Sequence, residues 1–513
     1  MTGNEQNDAS ASKSSLGHKT AVAFSWGVFA NLLKIALTLV VQGAMARFLG
    51  PSAFGLFAMG IMVMGLASYF ADMGISTRLV QQQTIDNDDI AFALGINLMM
   101  SGLIAFGVVA GSDYLALFFG APEASLIFKT MAPVFVINSV ASVSVSLLRR
   151  NLDYRTIQLA NLGGYVVGFA IVGMLCAIFL ASAYALVAAY LTQALVNFLM
   201  LYRNTRHAFR LDFSFRKRGE HLAFGGTVLA TNLINWCGGS IDKLIVGRTF
   251  NVQSLGHYSA AYNLIFAPIG ALYQNLQSTV FSSMARMDAD KPRMREAYLE
   301  LVRAISLLVL PAFVCAYMLA HPLVLVVYGA QWSASGAFAQ VFCLMAPLQL
   351  LWGISTPVLW NTGRKSVEAS VQIPFILLSA VSMGLAAKHS SLAVAQVAAV
   401  AFCLRTVTIM MLACQTLQIG ARQFALAILP ALVLSACTGV VAWLVETQLA
   451  ALHVLALLRL VIGGLVFAGT MVLAVLMVPS LIPRTLAAIL QRLSARAPQW
   501  AHPILKRMNS GQT

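Results

Sequence analysis

The 513 residues are 59% hydrophobic and only 10% charged, with a mean hydropathy of +0.80. A water-soluble chain of this length needs a polar coat that this composition does not supply. Strict alternation over ten-residue segments, the mark of a membrane β-barrel, is absent, and the net charge of +15 lies mostly in loops rather than on a nucleic-acid-binding face.

The chain opens with a polar stretch, residues 1–20, which reads as a cytoplasmic tail and not as a secretory signal. Apolar runs of membrane-spanning length follow. The first eight predicted spans are Ala21–Gly43, Ala53–Ala71, Ile90–Gly111, Phe128–Leu148, Ile157–Leu180, Tyr184–Leu201, Phe224–Gly247 and Leu255–Phe281. Six more are Leu301–Val327, Phe338–Leu359, Val371–Ala387, Leu392–Leu417, Phe424–Val445 and Val454–Val478. The expected fold class is therefore an all-α integral membrane protein of about 14 transmembrane helices.

Arg47, Gly55 and Phe57 recur as Arg248, Gly256 and Tyr258 at a constant offset of 201 (248−47), so the chain reads as a duplicated unit. The predicted organisation is a six-helix lobe over 21–202, a basic linker over 203–221 and a second six-helix lobe over 222–418. Two additional helices over 419–480 and a basic tail over 481–513 complete it. An even number of spans per lobe makes the two copies a parallel repeat around a pseudo-twofold axis, with a central polar cavity between them. With the N-terminus inside, 24 of the 33 Lys and Arg fall on cytoplasmic segments and five on outer loops, a strong positive-inside bias that also places the C-terminus inside.

Polar residues inside the spans are the functional candidates, because each is costly in hydrocarbon. Gly27, Asn31, Lys34, Thr38 and Gln42 step by 4, 3, 4 and 4 along one face of the first span. Asn232, Asn235, Gly239 and Asp242 do the same on the seventh, and the 201 offset matches Asn31 with Asn232 and Lys34 with Asn235. Arg405 sits near the middle of the twelfth span and needs an anion or a carboxylate such as Asp242 beside it. Asp242 and Lys243 also read as a self-neutralised pair. Gln274, with Gln277 and Ser278, is placed on the inner cleft, whereas Asp72, Arg303 and Glu368 at span ends read as ordinary solvated charges.

No catalytic constellation is present: there is no Walker loop and no H-E-x-x-H, and the seven Cys lie in apolar runs without a CxxC pair. A transporter, not an enzyme, with no cofactor and no metal is expected.

The turn MARFLGPSAFGLFAM (residues 45–59), FADMGISTRLVQ (70–81) and LLRRNLDYR (147–155) resemble the Wzx-like polysaccharide exporters of the multidrug/oligosaccharidyl-lipid/polysaccharide flippase superfamily. The resemblance implies two six-helix bundles around a cationic cavity. It further implies alternating-access flipping of undecaprenyl-diphosphate-linked oligosaccharides across the bacterial inner membrane, often coupled to an H+ or Na+ gradient; no ion-site motif is matched here. A lipid-linked oligosaccharide and membrane lipids are the implied partners, with a polysaccharide polymerase and chain-length proteins as further candidates and no nucleic acid.

On that basis Lys34 and Arg405 are expected to hold the anionic headgroup, and Asn31, Asn232 and Asn235 the sugars, with Thr38, Asp242 and Gln274 completing the cavity. Two other readings stay open: a cation-coupled drug exporter on the same fold, and a non-transporting scaffold of a polysaccharide assembly complex.

Overall fold

The computed structural model describes residues 33, 35–72, 79–80, 82, 84–213, 220–287 and 290–478. Every regular element among them is helical. Thirteen of the predicted stretches lie on helices among the described residues; of the first, residues 21–32 and 34 lie outside them and residues 35–43 lie on Ile35–Phe48. Eleven helices among the described residues are long and apolar enough to cross a membrane, and the other three stretches fall on Ile35–Phe48, Glu220–Thr249 and Val252–Ala285.

The chain divides into two compact units, Met1–Gly256 and His257–Thr513. In the first, α1 (Ile35–Phe48) ends at Gly50, and Pro51 begins α2 (Pro51–Asp72), where a missing N–H costs nothing. A reciprocal capping box between Asp86 and Asp89 starts α3 (Asn87–Phe119), and Gly120 stops it in the left-handed region at φ 64°. The predicted fourth span is two helices, α4 (Ala124–Met131) and α5 (Pro133–Arg150), because Pro133 cannot continue the hydrogen-bond ladder. Asp153 caps α6 (Tyr154–Leu180), which widens to a π-helix over Val166–Gly173. Gly168 there lies against the Ala189 carbonyl and Gln193 of α7 (Ala183–Thr205), an approach that only a residue without Cβ permits.

After α7 the basic linker does not leave the unit at once. The Asp212 N–H donates to the Ala91 carbonyl at 3.2 Å, and His207 is buried against Ser144 at 3.2 Å and the ring of Tyr202. Two long helices follow, α8 (Glu220–Thr249) and α9 (Val252–Ala285), the latter capped by the Asn251 side chain. At the start of α9 the sequence repeat becomes geometry. Gly55 faces the Val252 carbonyl, and Gly256 faces the Pro51 carbonyl. Pro51 and Val252 are themselves related by the 201 offset, so the contact is reciprocal between repeat-equivalent residues.

The second unit contains α10 (Lys291–Met318), α11 (Ala320–Tyr328), α12 (Ser335–Asn361), α13 (Lys365–Ala386), α14 (Ser391–Thr416), α15 (Ala421–Ala451) and α16 (Ala456–Met477). The predicted ninth span is divided at Leu319 between α10 and α11. Tyr298 and Val302 of α10, Ile354 of α12, Met410 of α14 and Ala427 of α15 belong to one buried cluster. Leu307 with Leu434 and Met471, and Cys315 with Ala442 and Leu460, seat α15 and α16 on α10. Among apolar side chains in a membrane this packing is close van der Waals contact rather than hydrophobic drive.

Candidate functional site

In the first unit α2, α3, α5, α7 and α8 surround a cavity of about 410 Å³. From α2 come Ile61, Gly65, Ser68 and Tyr69, spaced as one helical face; Phe135, Asn138, Ser139 and Ser142 do the same on α5. Asn97 of α3, Tyr190 of α7 and Asn232 of α8 complete the polar wall. A hydrogen-bond network holds it in place: Asn97 Nδ2 donates to Ser142 Oγ at 3.1 Å, and Ser101 Oγ to Ser139 Oγ at 3.0 Å. Asn138 reaches the cavity as an exposed side chain.

The second unit holds the buried cation. Arg405 on α14 is 9% exposed, its guanidinium carbon 4.6 Å from the Trp352 ring centroid and 5.0 Å from that of Phe402. Stacking of this kind contributes about 2 kcal/mol per face when desolvated, against several kcal/mol for taking the charge out of water. The deficit calls for an acceptor, yet among the described residues neither Arg405 Nε nor the neighbouring Trp352 Nε1 has a hydrogen-bond partner. Within this unit no described carboxylate lies within ion-pair distance of Arg405.

The nearest acid in electrostatic reach is Glu368 on α13, which is 5% exposed rather than solvated as its position near a span end suggested. Its Oε1 accepts from Thr356 Oγ1 at 3.3 Å and Gln372 Nε2 at 3.0 Å, and its Oε2 accepts from the Trp360 indole N–H. Three neutral donors thus occupy the carboxylate. Thr356 and Trp360 follow Trp352 at steps of four on α12, so one polar-aromatic face serves both charges.

The other expected residues are scattered. Asn31 and Lys34 lie outside the described residues. Thr38 sits on α1 beside the Tyr165 phenol. Asn235 is exposed on α8 and is not among the described cavity-lining residues, unlike Asn232 three residues earlier. Asp242 is buried, its Oδ1 accepting from the Lys243 N–H at 2.8 Å. Gln274 is exposed on α9 next to Tyr273, whose ring centroid is 5.8 Å from that of Trp352. Sequence reasoning missed Ser68, Tyr69, Asn138, Ser139 and Ser142. Their signal was small polar residues at helical spacing, which hides easily because a lone hydroxyl bonds its own helix carbonyl.

Apolar helices of membrane-spanning length, several with an internal proline, a cavity and a buried cation stacked on aromatic rings define a multi-pass membrane protein. Over residues 44–337 the chain matches the family described as polysaccharide biosynthesis protein, and it belongs to that family. It is 23% identical to the lipopolysaccharide biosynthesis protein WzxC of Escherichia coli K12, over 72% of this chain and 76% of that one. Identity to the succinoglycan biosynthesis transport protein ExoT of Rhizobium meliloti is 25%, over 65% and 66% of the two chains. The fold is that of the lipid II flippase MurJ in an inward closed conformation, with a TM-score of 0.65 over 89% of this chain and 99% of that one at 14% identity. An inward-facing multidrug MATE transporter gives a TM-score of 0.58 over 74% and 94% at 15% identity. The chain is thus a multi-pass membrane protein of the polysaccharide biosynthesis family, with the fold shared by MurJ and the MATE transporter.

Proposed function

We propose that this chain flips undecaprenyl-diphosphate-linked oligosaccharide repeat units from the cytoplasmic to the periplasmic leaflet by alternating access, for exopolysaccharide, capsule or O-antigen synthesis. The observation that carries the reading is Arg405, a guanidinium buried among aromatic rings with donors left for an anion. A diphosphate supplies that acceptor, and charge-assisted N–H···O bonds to it are about twice as strong as neutral ones. The glycan needs substitute partners, because each hydroxyl left unpaired in hydrocarbon costs several kcal/mol. Lys34, in the polar face of the first predicted span, is the second cation of this proposal, and both termini are placed in the cytoplasm by the distribution of Lys and Arg.

Complementation of an exporter-deleted strain tests it. A well-expressed Lys34→Ala, Arg405→Ala double variant is expected to lose polymer output; wild-type output from that variant refutes the role given to these two cations.

A further inference from the structure

The cavity of the first unit is unlike the surroundings of Arg405. Its described lining contains no Lys, Arg, Asp or Glu. Its polar groups are amides and hydroxyls, which both donate and accept, set in a largely apolar lining of Ile61, Met64, Val134 and the rings of Tyr69, Phe135 and Tyr190. A phosphate oxygen accepts only, so a wall of mixed donors and acceptors serves it poorly. A prenyl chain fits the apolar part of the lining but leaves the exposed amide of Asn138 without a partner. A sugar ring meets both halves of the lining: each hydroxyl donates and accepts, and its C–H face covers an aromatic ring. The volume of about 410 Å³ lies inside the range of roughly 300–1,000 Å³ typical of small-molecule clefts.

The wall is also built rather than incidental. Asn97, Ser139 and Ser142 are tied to one another or to Ser101 by hydrogen bonds that fix their orientation before any ligand arrives. Asn138 and Ser68 stand free on the accessible side as adaptable contacts, Ser68 donating only to its own helix at the Gly65 carbonyl.

We infer that this cavity is a binding subsite for one uncharged sugar residue of the glycan, read by Asn138, Asn232 and Ser68 with Tyr69 as a stacking face. The inference rests on the flippase reading above and deepens it: one neutral sugar of the glycan is recognised within the first unit.

The test uses the purified full chain in lipid nanodiscs and three short probes: geranyl diphosphate, geranyl-diphosphoryl-glucose and geranyl-diphosphoryl-glucuronate. Galactose and N-acetylglucosamine versions extend the neutral set. The wild type is expected to bind at least one neutral-sugar probe about tenfold more tightly than geranyl diphosphate, and to give the glucuronate probe no such gain. Asn138→Leu combined with Asn232→Leu removes the sugar gain, roughly tenfold for two lost buried hydrogen bonds, while leaving the affinity for geranyl diphosphate unchanged. Ser68→Ala alone gives a smaller loss of the same kind and guards against misfolding of the double variant. A sugar gain that survives both sets of substitutions overturns the inference, as does absence of a gain for all three neutral sugars or an equal gain for glucuronate. Equal losses for the sugar-bearing and bare probes also overturn it, because the cavity then serves lipid or headgroup. Failure of the flippase reading shows differently: geranyl diphosphate itself does not bind, or binds as well to Arg405→Gln.

Discussion

The reciprocal glycine contact makes a quantitative prediction. A Cβ added at Gly55 lies 1.9 Å from the Val252 carbonyl oxygen, and one at Gly256 lies 1.8 Å from that of Pro51. A tolerable carbon–oxygen contact is about 3.3 Å, so Gly55→Ala must open the helix crossing by about 3.3 − 1.9 = 1.4 Å. The obstructing atoms are backbone, so no side-chain rotation relieves the clash. Overpacking of this kind costs about 1–3 kcal/mol, and a rigid backbone obstacle puts both Gly55→Ala and Gly256→Ala at or above the upper end. Gly107 on α3 is the control, since nothing lies within 4 Å of its would-be Cβ. There alanine improves helix propensity by up to about 1 kcal/mol. One displacement relieves both clashes, so the Gly55→Ala, Gly256→Ala double variant costs less than the sum of the singles. Unfolding by denaturant titration in mixed micelles measures all four. A Gly55→Ala variant within 0.5 kcal/mol of wild type, or less stable than wild type by no more than Gly107→Ala, refutes the crossing.

Three further expectations concern the charged and titrating groups. Arg405→Lys does not restore activity in the complementation assay, because an ammonium lacks the planar fork that stacks between Trp352 and Phe402; full polymer output would contradict the stacked role. Glu368→Gln keeps side-chain partners for Thr356 and Gln372 but removes a negative charge in reach of Arg405, so geranyl diphosphate binds several-fold more tightly; unchanged or weaker binding counts against that coupling. His207, in the linker, is held below the usual histidine range by burial. The unfolded chain then binds the proton more readily, so linker docking is firm above about pH 6.5 and weakens as pH falls through the lowered folded value. Amide exchange at Asp212 should accelerate over that interval, and His207→Gln should flatten the change; an identical profile in the variant refutes it.

The span pattern was legible because hydropathy and proline act locally. The apolar stretches that fall among the described residues carry helices, and Pro133 breaks the fourth where its ring and missing N–H require. Gly55 and Gly256 stand at the fixed offset read from the sequence, and their mutual approach explains why glycine stands at both positions. The course of the linker was not legible. Its basic residues advertise a solvated strand, while its docking rests on His207 and on the Asp212 N–H, neither of which differs from any loop residue until the Ala91 carbonyl is placed beside it.

Of the site, single charges were easier to read than their surroundings. Arg405 stood out as a cation in an apolar run, but Trp352 and Phe402 count as apolar in any such run, so the aromatic cage around it was invisible. The cage matters for function because of what it leaves undone. A carboxylate partner would saturate the guanidinium, and an entering anion would have to displace it and leave a buried carboxylate uncompensated. Aromatic faces hold the same group by about 2 kcal/mol each and leave its in-plane N–H donors uncommitted. Glu368 is kept from filling that role by Thr356, Trp360 and Gln372, three neutral donors that hold its oxygens elsewhere. A transporter must bind its anion and then let it go, and a cation positioned by rings rather than by an opposite charge can exchange one anion for another without first dismantling an ion pair.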